Sequence, residues 1–192
     1  MSKTVLISGS SSGIGLETAR RFARAGWTVV AGMRNPTGRH TLLHDERTVN
    51  IVELDVTDNN SIKKAVEYTI ENFGSIDVLV NNAGYGLTGV FEYFEEEKVK
   101  KQMDTNFFGI LRLTKEVLPY MKTQKSGTII NVASVGGRVT FPFYSFYNAT
   151  KWAVEGFSES LQHELVQFNI RIKIVEPGPV KTDFYDRSIE KF

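Results

Sequence analysis

The 192 residues carry 23 Lys+Arg against 22 Asp+Glu, a formal net charge of +1, with 41% hydrophobic residues and no cysteine. So even a balance excludes the basic excess of an electrostatic nucleic-acid binder and offers nothing to an anionic membrane, while the lack of thiols excludes cysteine nucleophiles, Cys-ligated zinc and iron–sulfur clusters. The length suits one domain over residues 1–192 that buries roughly 70% of its unfolded surface and folds without a metal or disulfide staple. The longest apolar runs, such as Thr28 to Ala31 and Ile76 to Val80, are strand-sized, far short of the roughly 18 residues that span a bilayer. Met1-Ser2-Lys3 is followed by too short an apolar stretch for a signal peptide, so the expected location is cytoplasmic.

The first β-branched run, Thr4 to Ser8, leads into Ser8-Gly9-Ser10-Ser11-Ser12-Gly13-Ile14-Gly15 and a helix from Gly13 to Ala25. Strand, glycine-rich turn and helix N-terminus together form an anion site: backbone N–H groups without intrahelical partners point outward, and missing Cβ atoms allow a pyrophosphate to approach closely. The spacing is G-x-x-x-G-x-G, and serines at this place also serve simple helix capping.

The second strand, Thr28 to Met33, ends where a dinucleotide fold that takes NAD places an acid against the ribose 2′-hydroxyl. Here Met33 is followed by Arg34, no acidic residue occurs between Glu17 and Asp45, and Arg34 and Arg39 are placed to meet a 2′-phosphate. The pattern favours NADP(H), against the plainer alternative of a solvated loop cation. The polar stretch Asn35 to Val49 is expected to hold a short helix and a loop. Strands follow at Asn50 to Val56, Ile76 to Asn81, Gly127 to Ala133 and Arg171 to Glu176, with helices at Ser61 to Phe73, a pair covering Glu95 to Lys122, and Ser145 to Phe168. This alternation predicts a doubly wound parallel α/β sheet of the Rossmann type in three layers, and strands such as Val78-Leu79-Val80 are apolar throughout, as burial on both faces requires.

Tyr147-Asn148-Ala149-Thr150-Lys151 opens the last helix, and residues four apart share a helix face. A tyrosine with a pKa near 10 needs a shift of roughly three units to act near neutrality, and an ammonium about 4 Å away supplies energy of that order. The other six tyrosines, Tyr68, Tyr85, Tyr93, Tyr120, Tyr144 and Tyr185, lack a lysine at that offset. Ser134 follows the fifth strand, at the carboxyl edge where open parallel sheets bind ligands, and is placed to share a substrate oxygen with Tyr147; a turn serine is the alternative.

The glycine loop, Asn81-Asn82-Ala83-Gly84, Asn106, Ser134, Tyr147 with Lys151, and Pro177-Gly178 occur in that order, and the ordered set resembles the short-chain dehydrogenase/reductase family along the whole chain. The resemblance implies an NADP-dependent oxidoreductase acting on a small-molecule carbonyl or alcohol, with Tyr147 as general acid/base. Lys151 would lower the pKa of Tyr147 and bond the nicotinamide ribose, Ser134 would orient the reacting oxygen, and Asn106 would hold a water joining Lys151 to solvent. Gly9, Ser11, Ser12, Gly13, Ile14 and Gly15 would lie along the cofactor phosphates and the adjoining ribose. Asp55 and Val56 would flank the adenine, Asn82, Ala83 and Gly84 would line the cofactor further along, and Pro177, Gly178, Val180 and Thr182 would sit at its nicotinamide end. His40, His44 and His163 have no part in this chemistry, and no metal is expected. The pair of helices over Glu95 to Lys122 and the helix Ser145 to Phe168 would form a homodimer or homotetramer contact.

Asn-Asn-Ala-Gly-Tyr-Gly at 81–86 and Glu-Pro-Gly-Pro-Val at 176–180 are similar to the hydroxysteroid- and retinol-type branch, and Phe141, Phe143, Tyr144 and Phe146 would wall a bulky apolar substrate; core or interface packing is the alternative. Family members continue past Pro-Gly with a substrate-covering loop, a helix and a further strand, whereas this sequence stops at Phe192. The sixth strand is then expected at a sheet edge beside an open pocket, in a fragment or a shortened member. A non-catalytic dinucleotide sensor of the same fold and a docking protein stand as alternative functions.

Overall fold

The computed structural model describes residues 2–37, 41–46, 48–182, 184 and 189–191. β1 (Thr4–Ile7), α1 (Gly13–Arg24), β2 (Thr28–Met33), β3 (Val49–Glu53), α2 (Asn59–Phe73) and β4 (Val78–Asn81) make up the first half. Then come β5 (Gly86–Thr88), α3 (Glu96–Met103), α4 (Gly109–Gln124), β6 (Gly127–Val132), α5 (Ser145–Leu165), β7 (Ile170–Val175) and β8 (Ile189–Lys191). Six strands form one parallel sheet in the order β3-β2-β1-β4-β6-β7, the doubly wound arrangement that the alternation predicts.

Strand side chains alternate between two apolar layers. Leu6, Val30, Leu79 and Ile129 pack with Val66, Leu113, Val117 and Leu161 from α2, α4 and α5. Val5, Ile7, Val29, Ala31 and Val80 face the other way, against Ala19 and Ala23 of α1 and Leu43 of a short 3-10 helix at Leu42–Asp45. That short helix is the one expected within Asn35 to Val49; Arg39 and His40 lie outside the described residues. β7 takes the sheet's edge, as expected for the sixth strand.

Several boundaries move for local reasons. β3 stops at Glu53, not Val56, because Asp55 turns the chain by accepting from the N–H and hydroxyl of Thr57, at 2.9 and 2.7 Å. α2 starts two residues before Ser61 because Asp58 caps it, accepting from the Asn60 N–H at 2.8 Å. The helical pair is joined by a turn of π-helix at Asp104–Phe108. β5 and β8, which escape a pattern reading because each is only three residues long, pair in parallel as a separate small sheet.

A polar chain crosses the larger apolar layer near the carboxyl ends of the strands. The Asn81 amide donates to Asn131 at 2.8 Å and to Thr114 at 3.1 Å, and the Asn131 amide donates to Ser158 at 2.8 Å. All four residues are buried, so losing one member strands its neighbours without water. Asn131→Leu is expected to destabilise the fold by about 2–3 kcal/mol in urea unfolding, more than a surface change.

Candidate functional site

β1 pairs with β2 on one side and β4 on the other, so the winding direction reverses there and a crevice opens beyond the strands' carboxyl ends. Cross-bonds hold the two crevice loops together. The Ser8 hydroxyl accepts from the N–H groups of Asn82 and Ala83, at 3.1 and 3.2 Å, and the Asn82 amide donates to the carbonyls of Ser8 and Gly9, at 3.1 and 3.0 Å. Gly9 has φ +69°, and a Cβ on it would lie 2.8 Å from the Ala83 Cα. Ser12 precedes α1 without a side-chain cap, leaving the first-turn amides open to an anion.

The cleft beyond this seam has a volume of about 940 Å³; Gly9, Ser11 to Ile14, Arg34, Asp55, Val56, Asn82 to Gly84, Ser134, Tyr147, Lys151, Pro177, Gly178, Val180 and Thr182 line it, whereas Gly15 and Asn106 do not. Gly15 lies behind the loop, where a Cβ would approach the Gly9 carbonyl to 2.3 Å, so its part is to let the loop close. Asn106 is fully buried within the π-turn. Its Oδ1 accepts from the Tyr85 N–H at 3.0 Å, and its amide donates to the Tyr85 carbonyl at 2.8 Å and to Thr150 at 3.1 Å. The Asn106 side chain thus fastens the loop after β4 to α5.

Ser134 caps a 3-10 turn at Val135–Gly137, its Oγ accepting from the Gly136 N–H at 3.1 Å. The turn reading of this serine therefore holds, and the hydroxyl keeps its proton for another acceptor. Tyr147 and Lys151 share the first turns of α5, with the Lys151 ammonium 5.8 Å from the Tyr147 ring centroid. Lys151 is buried and donates to the Val132 carbonyl at 2.9 Å. Burial pushes its pKa down to about 8, against an opposing pull from Glu155. Burial thus makes the positive charge that would act on Tyr147 depend on pH.

The expected aromatic wall is only half formed. Phe141 and Tyr144 line the cleft. Phe146 stacks on Phe91 at 5.7 Å and meets Phe94 edge-on at 5.0 Å, while Phe143, 62% exposed at φ +67°, presents its carbonyl to the Gly89 N–H at 2.9 Å. The structure adds Tyr85, Thr105, Phe184 and Ile189 to the wall. Phe184 and Ile189, which follow Pro177-Gly178, line the cleft, and Phe184 stands 6.2 Å from the Tyr147 ring. Burial pushes the Tyr85 phenol up to about 12, which makes it a poor acid near neutrality. His44 caps the short helix at Leu42–Asp45 and His163 is exposed on α5.

A sequence model of the family described as short chain dehydrogenase matches residues 3–191. The chain belongs to that family. This short-chain dehydrogenase is 42% identical over 182 residues to 3-ketodihydrosphingosine reductase of Bacteroides thetaiotaomicron, an alignment covering 95% of this chain and 65% of the relative. It is 45% identical over 197 residues to retinol dehydrogenase 8 of Bos taurus, covering 98% of this chain and 62% of that protein. The chain thus spans under two thirds of the length of these two curated relatives. Among solved structures, a short-chain dehydrogenase from Streptomyces avermitilis superposes with a TM-score of 0.92 at 35% identity, covering 99% of this chain and 72% of that one. ElxO with NADP bound gives 0.89 at 31%, covering 97% and 77%.

Burying Lys151 has a measurable consequence. Between about pH 8 and the ordinary lysine range, the unfolded chain holds a proton that the folded one has released. Stability from this group therefore rises with pH across that window, and below it the buried charge costs about 3 kcal/mol. Lys151→Met, which also loses the bond to Val132, is expected to be more stable than wild type by about 1–2 kcal/mol at pH 7, with the advantage shrinking as pH rises from 8 to 10. Thermal melts of both proteins across that range provide the check.

Proposed function

We propose that this short-chain dehydrogenase transfers hydride between NADP(H) and a carbonyl/alcohol pair, working as one dinucleotide-binding domain in the cytoplasm. The observation that carries the reading is that Ser134, Tyr147 and Lys151 line the same cleft as the glycine loop. Among the described residues no helix is long and apolar enough to cross a membrane. A bound nicotinamide dinucleotide would supply or accept the hydride. Loop glycines and open α1 amides fit its pyrophosphate, Arg34 a 2′-phosphate, Asp55 and Val56 the adenine, and Pro177, Gly178, Val180 and Thr182 the nicotinamide end. NADP in the ElxO structure supports the choice of cofactor.

In the reductive direction Tyr147 gives its phenolic proton to the substrate oxygen as negative charge builds there. Ser134 donates a second hydrogen bond to the same oxygen, which lowers the barrier because the bond is strongest when the oxygen is most negative. Lys151, its ammonium 5.8 Å from the Tyr147 ring centroid, steadies the phenolate left behind by its positive charge. Phe141, Tyr144 and Phe184 exclude water and favour a bulky apolar substrate. The names of the two relatives, which refer to retinol and 3-ketodihydrosphingosine, support that class. Exposed Phe108, beside α4, and Trp152 on α5 support subunit contact through these helices. A non-catalytic sensor would have no use for Ser134, Tyr147 and Lys151 kept together.

Tyr147→Phe is expected to lower kcat by about 100-fold or more while leaving NADPH binding intact. Wild-type turnover in that variant sinks the acid/base assignment. Fluorescence titrations should show NADPH binding at least about tenfold more tightly than NADH, with Arg34→Ala removing the difference. Tighter binding of NADH would reverse the cofactor choice.

A further inference from the structure

The turn that carries Ser134 ends in Arg138, whose guanidinium meets three carboxylates from two other elements. Nε donates to Glu176 at 3.1 Å, Nη2 donates to Glu159 at 3.1 Å, and Nη2 lies 3.2 Å from Glu155 Oε2 without hydrogen-bond geometry. Glu155 and Glu159 belong to α5, with Glu155 one helical turn beyond Lys151, and Glu176 immediately precedes Pro177. One side chain therefore joins the Ser134 turn, the Tyr147–Lys151 helix and the Pro177-Gly178 segment. The backbone adds a bond between the same parts, with Val135 N–H donating to the Pro177 carbonyl at 3.0 Å. The turn also sits tightly on α5: a Cβ on Gly137 would lie 3.0 Å from both the Glu155 Cγ and the Lys151 carbonyl oxygen.

Stability alone is a poor reason for this arrangement. The Arg138 side chain is 46% exposed, and solvated ion pairs contribute little to folding. Glu155 is different, because its side chain is 5% exposed and neither carboxylate oxygen has a hydrogen-bond partner among the described residues. Its burial favours the protonated acid, and Arg138 is the group on the turn that opposes this. The other charged groups facing Glu155 are Glu159 and Lys151 on its own helix and Glu176 after β7.

We propose that Arg138 is a positioning residue for the reaction assigned above, fixing Ser134, the Tyr147–Lys151 pair and the Pro177-Gly178 segment relative to one another. The inference rests on that reading of the site. Arg138 opposes the protonation that burial favours at Glu155, whose negative charge in turn supports that of Lys151, so loss of Arg138 loosens the geometry and lets Lys151 release its proton at lower pH.

The test compares the full chain with Arg138→Met and Arg138→Lys. Amide hydrogen exchange needs no substrate: Arg138→Met should speed exchange about tenfold at residues 134–139 and 175–178 while leaving 4–7 and 78–81 unchanged. With NADPH and either 2-decanone or retinaldehyde as probe, Arg138→Met should lose about 30-fold in kcat with the KM for NADPH within about threefold of wild type. The alkaline limb of its rate profile should move to lower pH, and Arg138→Lys should restore most of both. Unchanged exchange at 134–139 and 175–178, faster exchange throughout the sheet, or wild-type kcat with an unmoved alkaline limb would each overturn the proposal. Absence of wild-type turnover with both probes counts against the activity; the exchange pattern still decides whether Arg138 fastens the three segments.

Discussion

β1 is hydrogen-bonded on both sides, to β2 and to β4, and the rest of the molecule depends on that double pairing. Parallel strands with both faces buried can release the chain only at their ends. Because the sheet winds one way from β1 and the other way from β4, the loops leaving those two strands face each other across a gap with no crossing helix. Ser8 and Asn82 lock the gap's floor with four hydrogen bonds, bringing the loops so close that a glycine must stand at position 9, while the amides of α1, which lack a side-chain cap, face open space.

On the far side of the cleft the chemistry conflicts with stability. Lys151 is buried and, among the described residues, donates to the Val132 carbonyl, and its acidity is raised by that burial. A lysine so placed is poised to lose its proton only slightly above neutrality, which a surface lysine never does. The polar groups nearby share the burden: Asn106 and Thr150 tie the adjoining loop to the same helix, and Glu155, itself buried, supplies an opposing negative charge. The site is assembled from groups that each raise the cost of folding singly and stabilise one another when the sheet brings them together.

The strand–helix alternation was legible because both periods are long enough to register, and Tyr147 with Lys151 was legible because a helix converts an offset of four into contact. What escaped has a physical reason in each case. Tyr85, Thr105, Phe184 and Ile189 reach the cleft from three separate stretches of the chain, and no periodic pattern marks them as wall residues. Phe143 and Phe146 look equivalent to Phe141 in sequence, yet a positive φ at Phe143 and the packing of Phe146 on Phe91 and Phe94 take them off the wall. Gly15 belongs to the same motif as its neighbours, but steric closeness puts it behind the loop, and Asn106 is buried inside a π-turn.

The sequence by itself determined the order of strands and helices, the anion-binding character of the first turn and the pairing of a phenol with an ammonium. These depend on residues adjacent along the chain or one helical turn apart, where local geometry suffices. Only the tertiary structure decided how deeply Lys151 is buried and hence when it is charged, which aromatics face the cleft, and that Arg138 meets carboxylates up to 38 residues away. Those properties depend on distances between segments and on exclusion of water, which are set when the sheet closes and its helices dock on it.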